Sequence, residues 1–193
     1  MFDAELRKLK NRILKGLFSP NTLNADTVTA FGFLLGIVSM IYLYYGNSLF
    51  GTIFFLLNRA FDVLDGFFAQ AKEKKDKELG SFLDIVADYV VYLGVPIIVG
   101  WAYPDLLFHF LFLVSLFTFN LLLWTYPQLI RPIPHIISQR YPTSLVEGVE
   151  TTILYVMIIW RPETVLVFIS LMVLTVAHRF AQGYLHLKAG EFS

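Results

Sequence analysis

The chain has 193 residues, of which 56% are hydrophobic and 16% are charged, and its formal net charge is zero. Soluble domains carry about 25% charged residues, so this composition excludes an ordinary soluble globule and indicates a membrane protein. The absence of cysteine excludes thiol catalysis, zinc–thiolate sites and disulfides. The length admits about six membrane helices of roughly 20 residues each, but no separate soluble domain.

The first 18 residues are expected to form an amphipathic helix. Apolar residues recur there at three- and four-residue steps among five basic residues, which are Arg7, Lys8, Lys10, Arg12 and Lys15. This spacing places the apolar side chains on one helix face. Because the first charge-free stretch begins only at Thr27, the segment lacks the early apolar core of a signal peptide. It is therefore predicted to lie on the membrane surface.

Apolar runs after this helix predict six membrane spans. Their expected bounds are 28–45, 49–71, 79–101, 106–126, 144–160 and 163–187. The tripeptide beginning at Gly46 predicts a tight turn between the first two spans. A charged loop is expected at 72–78, and four prolines predict an irregular connection over 127–143. The expected fold class is an all-α integral membrane protein, with residues 1–193 forming a single domain.

Lysine and arginine are concentrated in the connections on one side of these spans. Besides the five at the start, this side holds Lys72, Lys74, Lys75, Lys77, Arg131, Arg140, Arg179 and Lys188. The turns on the other side hold only Arg161. By the positive-inside rule, this asymmetry predicts a cytoplasmic amino terminus. It also places the charged halves of spans two and three at the cytoplasmic side, and the plasma membrane is the expected location.

Spans two and three each carry a pair of aspartates. An ionised residue in a membrane helix costs roughly 2.5 to 3.5 kcal/mol on insertion scales, so four unpaired carboxylates would cost on the order of 10 kcal/mol. Asp62 and Asp65 are three residues apart, and Asp84 and Asp88 are four apart, so each pair shares one helix face. Because a short loop joins the two spans, we expect antiparallel neighbours whose acidic faces meet.

Four converging carboxylates without cysteine or a nearby histidine form a hard, oxygen-only ligand set. Magnesium, manganese and calcium are the divalent ions that match such ligands. One divalent ion would leave two negative charges on the cluster, whereas two ions would neutralise it. This balance favours a two-metal site that acts on phosphates.

Small residues accompany the aspartates. Gly66 and Ala69 lie within about 60° of Asp62 on their helix, and Gly80 precedes Asp84 by one turn. Bare backbone at these positions lets a flat or phosphorylated ligand approach closely. Small residues in membrane helices also serve helix packing, so both roles stay open.

Together, the two acidic stretches resemble the signature of the CDP-alcohol phosphotransferase family. Residues 62–70 read DVLDGFFAQ, and nine residues later 80–88 read GSFLDIVAD. The family pattern is D-x-x-D-G-x-x-A-R, then eight or nine residues, then G-x-x-x-D-x-x-x-D. The chain matches seven of the eight fixed positions. The layout of six spans behind a surface helix is also similar.

The resemblance implies transfer of a phospho-alcohol from a CDP-linked donor to an acceptor hydroxyl, with release of CMP, in phospholipid biosynthesis. It implies two magnesium or manganese ions held by Asp62, Asp65, Asp84 and Asp88. Asp88 is alternatively the catalytic base. The nucleotide is expected against Asp65, Gly66, Ala69 and Gly80. At least one substrate is expected to be a lipid, homodimers are common in the family, and no nucleic-acid partner is expected.

One position departs from the family pattern: Gln70 stands where the family has arginine. Glutamine offers a neutral amide in place of a charged, bidentate fork. We hypothesise that Lys72, Lys74 or Lys75 supplies the missing charge to a phosphate. Two further contacts with phosphate or acceptor are considered at Arg131 and Arg140, which also fit ordinary positive-inside charges.

Arg59, three residues before Asp62, either pairs with that aspartate or faces a phosphate. In the broader alternative, the four aspartates form an ion-pair network with Arg59 and the loop lysines. A divalent-cation carrier, or a family member whose catalysis is altered at Gln70, is a second possibility. A membrane prenyltransferase is a third, but such enzymes need more spans and a second acidic motif late in the chain.

Overall fold

The structure, a computed structural model, describes residues 24–68, 74–130 and 148–189. The predicted surface helix at 1–18 lies outside these residues. The described residues form six α-helices, which are α1 (Ala25–Tyr44), α2 (Ser48–Phe68), α3 (Lys74–Ala102), α4 (Leu107–Ile130), α5 (Gly148–Trp160) and α6 (Val165–Ala189). Two short 3-10 helices, Pro104–Leu106 and Pro162–Thr164, precede α4 and α6.

Four stretches of helix in the described residues are long and apolar enough to cross a membrane. They are Ala25–Tyr44, Phe82–Ala102, Pro104–Leu123 and Pro162–Leu185. Helices α2 and α5 are not among these four, because α2 carries the charged residues Arg59, Asp62 and Asp65 and α5 has only 13 residues. The chain is therefore an all-helical, multi-pass membrane protein across its described residues, while the total of six spans stays a prediction.

Two predicted connections are wrong at their edges. Helix α3 begins at Lys74, so residues 74–78 are helical and do not belong to a loop. Lysine and glutamate have high helix propensity, so a charged run leading into an apolar helix extends it. Helix α4 continues through Pro127 to Ile130. A proline near a helix end removes one backbone hydrogen bond, and membrane helices tolerate this loss.

Local signals account for the hairpin of α1 and α2. Asn24 caps α1, because its Oδ1 accepts a 3.1 Å hydrogen bond from the amide of Asp26. Gly46 follows α1 with a φ of +76°, a left-handed conformation that glycine adopts without steric cost. Oδ1 of Asn47 accepts a 3.1 Å hydrogen bond from the amide of Phe50 at the start of α2. The predicted tight turn is confirmed.

The chain divides into two compact units, Met1–Ile98 and Val99–Ser193. In the first unit, small residues let α1 approach α2 and α3. A β-carbon added at Gly36 would overlap Val91 of α3 and crowd Asn58 of α2. The hydroxyl of Ser39 donates a 2.7 Å hydrogen bond to the carbonyl of Gly51. This packing holds the acidic halves of α2 and α3 beside the same helix.

The second unit contains α4, α5 and α6. The rings of Phe117, Tyr155 and Phe168, one from each helix, have centroids 5.4 to 5.9 Å apart and interplanar angles of 64 to 87°. Aromatic pairs favour such edge-to-face geometry. None of the candidate site residues lies in the described part of this unit.

Candidate functional site

All four aspartates line one pocket between α1, α2 and α3. The pocket encloses about 180 Å³, including space open to solvent, and is lined by Thr29, Gly32, Asn58, Asp62, Asp65, Asp84, Ala87 and Asp88. Helix α2 contributes two of the aspartates and α3 contributes the other two. The acidic faces therefore meet as the helical spacing predicts.

Three of the carboxylates form a tight group. Asp62, Asp84 and Asp88 each offer an oxygen, and these oxygens all lie within 4.8 Å of one another. Two oxygens on opposite sides of one hard divalent cation are about 4 to 5 Å apart. The spacing and the oxygen-only chemistry of this group therefore fit a hard divalent ion.

Asp65 is oriented by the neighbouring helix. Its Oδ2 accepts a 2.8 Å hydrogen bond from the hydroxyl of Thr29, which also contacts the carbonyl of Ala25 at 3.1 Å. Next to this contact, buried apolar residues of α1 and α2 pack together, namely Ala25, Val28, Phe67 and Phe68. Asp65 is itself buried, so its carboxylate has a defined place at the pocket wall.

Arg59 lies beneath the acidic group and is 7% exposed. Its Nη2 donates a 2.7 Å hydrogen bond to Oδ1 of Asp88, and its Nη1 lies 3.9 Å from Oδ2 of Asp62. Its Nη1 also donates a 2.7 Å hydrogen bond to the hydroxyl of Tyr92, whose ring lies 4.5 Å from the guanidinium carbon. Of the two roles considered for Arg59, the structure therefore shows ion pairing, and the closer partner is Asp88. One guanidinium offsets the charge of one carboxylate, so Arg59 alone does not neutralise the cluster.

Asn58 connects this arginine to α1. Its Oδ1 accepts hydrogen bonds from Nε and Nη2 of Arg59, at 2.8 and 2.6 Å, and its Nδ2 donates one of 2.8 Å to the carbonyl of Gly32. Asn58 is 4% exposed. A polar network thus links three helices at the floor of the pocket.

The small residues of the family signature are Gly66, Ala69 and Gly80, and the structure describes the two glycines. A β-carbon added at Gly66 would meet no atom within 4 Å, although the residue lies within a helix next to Asp65. Helix packing among the described residues therefore does not require a glycine at this position. Gly80 is half-buried in α3, and Ala69 lies outside the described residues.

Several predicted site residues have no described side chain. Gln70, Lys72, Arg131 and Arg140 lie outside the described residues. For Lys74 and Lys75 the structure describes only the helical backbone of α3. Their suggested contacts with phosphate or acceptor stay predictions.

Three residues of the network were missed as site residues. Tyr92 follows Asp88 by four residues and so shares its helix face, which is a signal the sequence contains. Thr29 and Asn58 are uncharged polar residues in apolar helices, a weaker signal. Only the packing of α1 against α2 shows that these two side chains point into the acidic pocket.

Comparison with known proteins agrees with this geometry. The sequence matches the family described as CDP-alcohol phosphatidyltransferase over residues 22–187. A relative, the inner membrane protein YnjF of Escherichia coli strain K12, is 31% identical over 196 residues, covering 95% of this chain and 94% of the relative. No solved structure matches the chain. The chain therefore belongs to the CDP-alcohol phosphatidyltransferase family, a phosphotransferase family that transfers phospho-alcohol groups in lipid synthesis and generally uses divalent metal ions.

Proposed function

We propose that this protein transfers a phospho-alcohol group from a CDP-linked donor, itself a CDP-lipid, to the hydroxyl of an acceptor alcohol, with release of CMP. The observation that supports this proposal is the convergence of four carboxylates from α2 and α3 on one pocket. Such a cluster within a membrane protein is costly unless it binds cations. Membership of the family supplies the reaction class.

The donor set of the pocket fits two magnesium or manganese ions. Asp62, Asp84 and Asp88 provide oxygens within 4.8 Å of one another, and Asp65 provides a fourth carboxylate at the same pocket. Hard oxygen ligands select these ions over softer metals. The chemistry that such ions supply when bound is neutralisation of the diphosphate and of the departing CMP.

The reaction exchanges one phosphorus–oxygen bond for another. The acceptor oxygen bonds to the phosphorus of the transferred group, and the bond from that phosphorus to the oxygen of CMP breaks. The acceptor hydroxyl gives up its proton, and we assign Asp88 as the base that receives it. Oδ1 of Asp88 already accepts a hydrogen bond from Arg59, so Oδ2 is the oxygen assigned to this step.

The nucleotide extends beyond the carboxylates in this proposal. Carboxylates line this pocket, so it is the place proposed for the metal ions and the phosphates, and the rest of the nucleotide lies outside it. The open space around Gly66 is the neighbouring place where bare backbone admits a ligand. Asp65 directly precedes Gly66, and Gly80 begins the second half of the signature.

The surrounding topology completes the proposal. Residues 1–193 form one membrane domain of six spans in the plasma membrane, with the amino terminus and the pocket on the cytoplasmic side. Cationic residues between alternate spans support this orientation. A cytoplasmic pocket gives a polar CDP group access, while the membrane delivers the lipid substrate.

A divalent-cation carrier is the second candidate function. It is favoured by the same acidic cluster, but a carrier needs ligands along a path across the bilayer. In the described residues, the four aspartates surround a single pocket. Uptake of manganese by liposomes that contain the protein, without CMP release from any donor, would favour the carrier.

CMP release by the purified protein tests the proposed function. The protein is incubated with magnesium or manganese, a panel of CDP-alcohols including CDP-diacylglycerol, and acceptors including glycerol phosphate, inositol phosphate and serine. We expect CMP release with one donor and acceptor pair. Asp88→Asn should abolish it, whereas Asp105→Asn, at an exposed position outside the pocket, should retain it. Absence of CMP release with every donor and acceptor pair would contradict the proposed reaction. Wild-type rates in Asp88→Asn would contradict the assignment of Asp88 as the base.

A further inference from the structure

Beneath the acidic pocket, the guanidinium of Arg59 is surrounded by acceptors from its own chain. Nη2 donates to Asp88 and to Asn58, Nε donates to Asn58, and Nη1 donates to the hydroxyl of Tyr92. A guanidinium has five N–H groups, so these four hydrogen bonds leave one. The last N–H belongs to Nη1, which lies 3.9 Å from Oδ2 of Asp62.

This arrangement has no free pair of donors for a phosphate. Binding a phosphate through a guanidinium fork uses two parallel N–H groups, and Arg59 would have to break existing hydrogen bonds to present them. The side chain is also 7% exposed. The contacts therefore favour a role directed at the protein over one directed at the substrate.

We propose that Arg59 is a positioning residue, which holds the carboxylate of Asp88 in place for ion binding and proton transfer. The inference rests on the proposed function. Asp88 belongs to α3, whereas Arg59 and Asn58 belong to α2. Asn58 is itself bonded to the carbonyl of Gly32 in α1, so side chains of α2 that are bonded to the backbone of α1 set the position of the Asp88 carboxylate.

The geometry of the guanidinium matters in this arrangement, and so does its charge. The partners of Arg59 lie in different directions, since Nε and Nη2 reach Asn58 while Nη1 reaches Tyr92. The ammonium group of lysine concentrates its donors at one point and cannot reproduce the planar fork. Arg59→Lys therefore keeps the charge and removes the fixed geometry, which separates a positioning role from that of a simple counter-ion.

The test measures manganese binding and steady-state kinetics on the purified protein. Partners that orient metal ligands typically change metal affinity or activity by about 10- to 100-fold when removed. We expect Arg59→Lys to weaken Mn²⁺ binding by about tenfold and to lower kcat by about 10- to 100-fold, with KM for the CDP-linked donor within about threefold of wild type. Arg161→Lys, at an exposed position of the second unit, should leave all three values unchanged.

A second variant keeps the test decisive if Arg59→Lys does not fold. Tyr92→Phe retains the ring beside the guanidinium and removes only the hydroxyl that accepts from Nη1. It should shift Mn²⁺ affinity and kcat in the same direction by a smaller factor. If both variants fold, wild-type Mn²⁺ affinity and wild-type kcat in both would overturn the inference. If only Tyr92→Phe folds, wild-type values in that variant would overturn it. So would an increase in donor KM without a change in kcat, which would assign Arg59 to phosphate binding.

The two proposals fail in different ways. If the wild-type protein binds Mn²⁺ but releases no CMP from any donor, the proposed reaction is wrong. Mn²⁺ binding by the two variants still decides whether Arg59 holds Asp88. If the wild-type protein releases CMP and the variants match it in both readouts, only the positioning role is wrong.

Discussion

Thr29 and Asp65 are joined across two helices, with 2.8 Å between Oγ1 of the threonine and Oδ2 of the aspartate. The first residue belongs to α1, which carries none of the four aspartates, and the second belongs to the family signature on α2. The hydrogen bond restricts the orientation of the Asp65 carboxylate. Helix α1 thus takes part in shaping the acidic pocket.

We predict that Thr29→Val lowers kcat by about tenfold, because loss of a partner that orients a metal-ligating carboxylate has effects of that size. Thr29→Ser keeps the hydroxyl and should retain most of the activity. Loss of one hydrogen bond costs about 1 kcal/mol, so thermal unfolding in detergent should shift by only a few degrees. Thr118→Val is the matched control, because the Thr118 hydroxyl bonds only within its own helix at an exposed position. Equal rates in both valine variants would contradict the prediction.

Gly66 should be a position where a larger side chain is tolerated by the fold and harmful to the reaction. Gly66→Ala meets no described atom within 4 Å, and replacing glycine by alanine inside a helix gains up to about 1 kcal/mol. If the nucleotide approaches the backbone there, the added methyl group should raise donor KM by about five- to 150-fold, which corresponds to an overpacking cost of about 1–3 kcal/mol.

The control for Gly66→Ala is Gly148→Ala, since a β-carbon at Gly148 also meets no described atom within 4 Å. Titration with CDP-alcohol and thermal unfolding together provide the readout. A stable Gly66→Ala protein with unchanged donor KM would show that the nucleotide does not contact this position.

Removal of divalent ions should abolish CMP release, because the four carboxylates that line the pocket are the proposed metal ligands. Magnesium or manganese added back should restore the rate. Binding of Mn²⁺ should show two sites per chain. Asp84→Asn should weaken this binding at least about tenfold, since a metal site loses one charged ligand, whereas Asp105→Asn should not. Undiminished turnover in excess chelator would exclude a metal-dependent reaction.

The substitution of the family arginine by Gln70 leads to a prediction about the neighbouring lysines. Changing Lys72, Lys74 and Lys75 together to glutamine should raise donor KM at least about tenfold, because hydrogen bonds from charged groups are worth roughly 1.5–3 kcal/mol. Adding Gln70→Arg to the triple variant should restore donor KM. Lys188→Gln is the control at an exposed lysine of the last helix. A triple variant with unchanged donor KM would show that these lysines do not replace the arginine.

Much of the site follows from helical periodicity alone. Spacings of three and four residues place Asp62 with Asp65, and Asp84 with Asp88, on single helix faces, and the structure brings both pairs to one pocket. The turn at Gly46 is equally local, because positive φ is a property of the residue itself. Helix ends proved harder to predict. The high helix propensity of lysine and glutamate extends α3 back to Lys74, and Pro127 does not end α4.

The sequence by itself determined that this chain is a helical membrane protein with an acidic, oxygen-only cluster, because composition and helical spacing are local properties. Only the tertiary structure decided which residues complete that cluster. Thr29 of α1 and Asn58 of α2 join the cluster because α1 packs closely against α2 at Gly32 and Gly36. Arg59 could equally have faced a phosphate. Its hydrogen bond to Asp88 depends on how α2 and α3 pack, since a buried guanidinium donates hydrogen bonds to the acceptors that surround it.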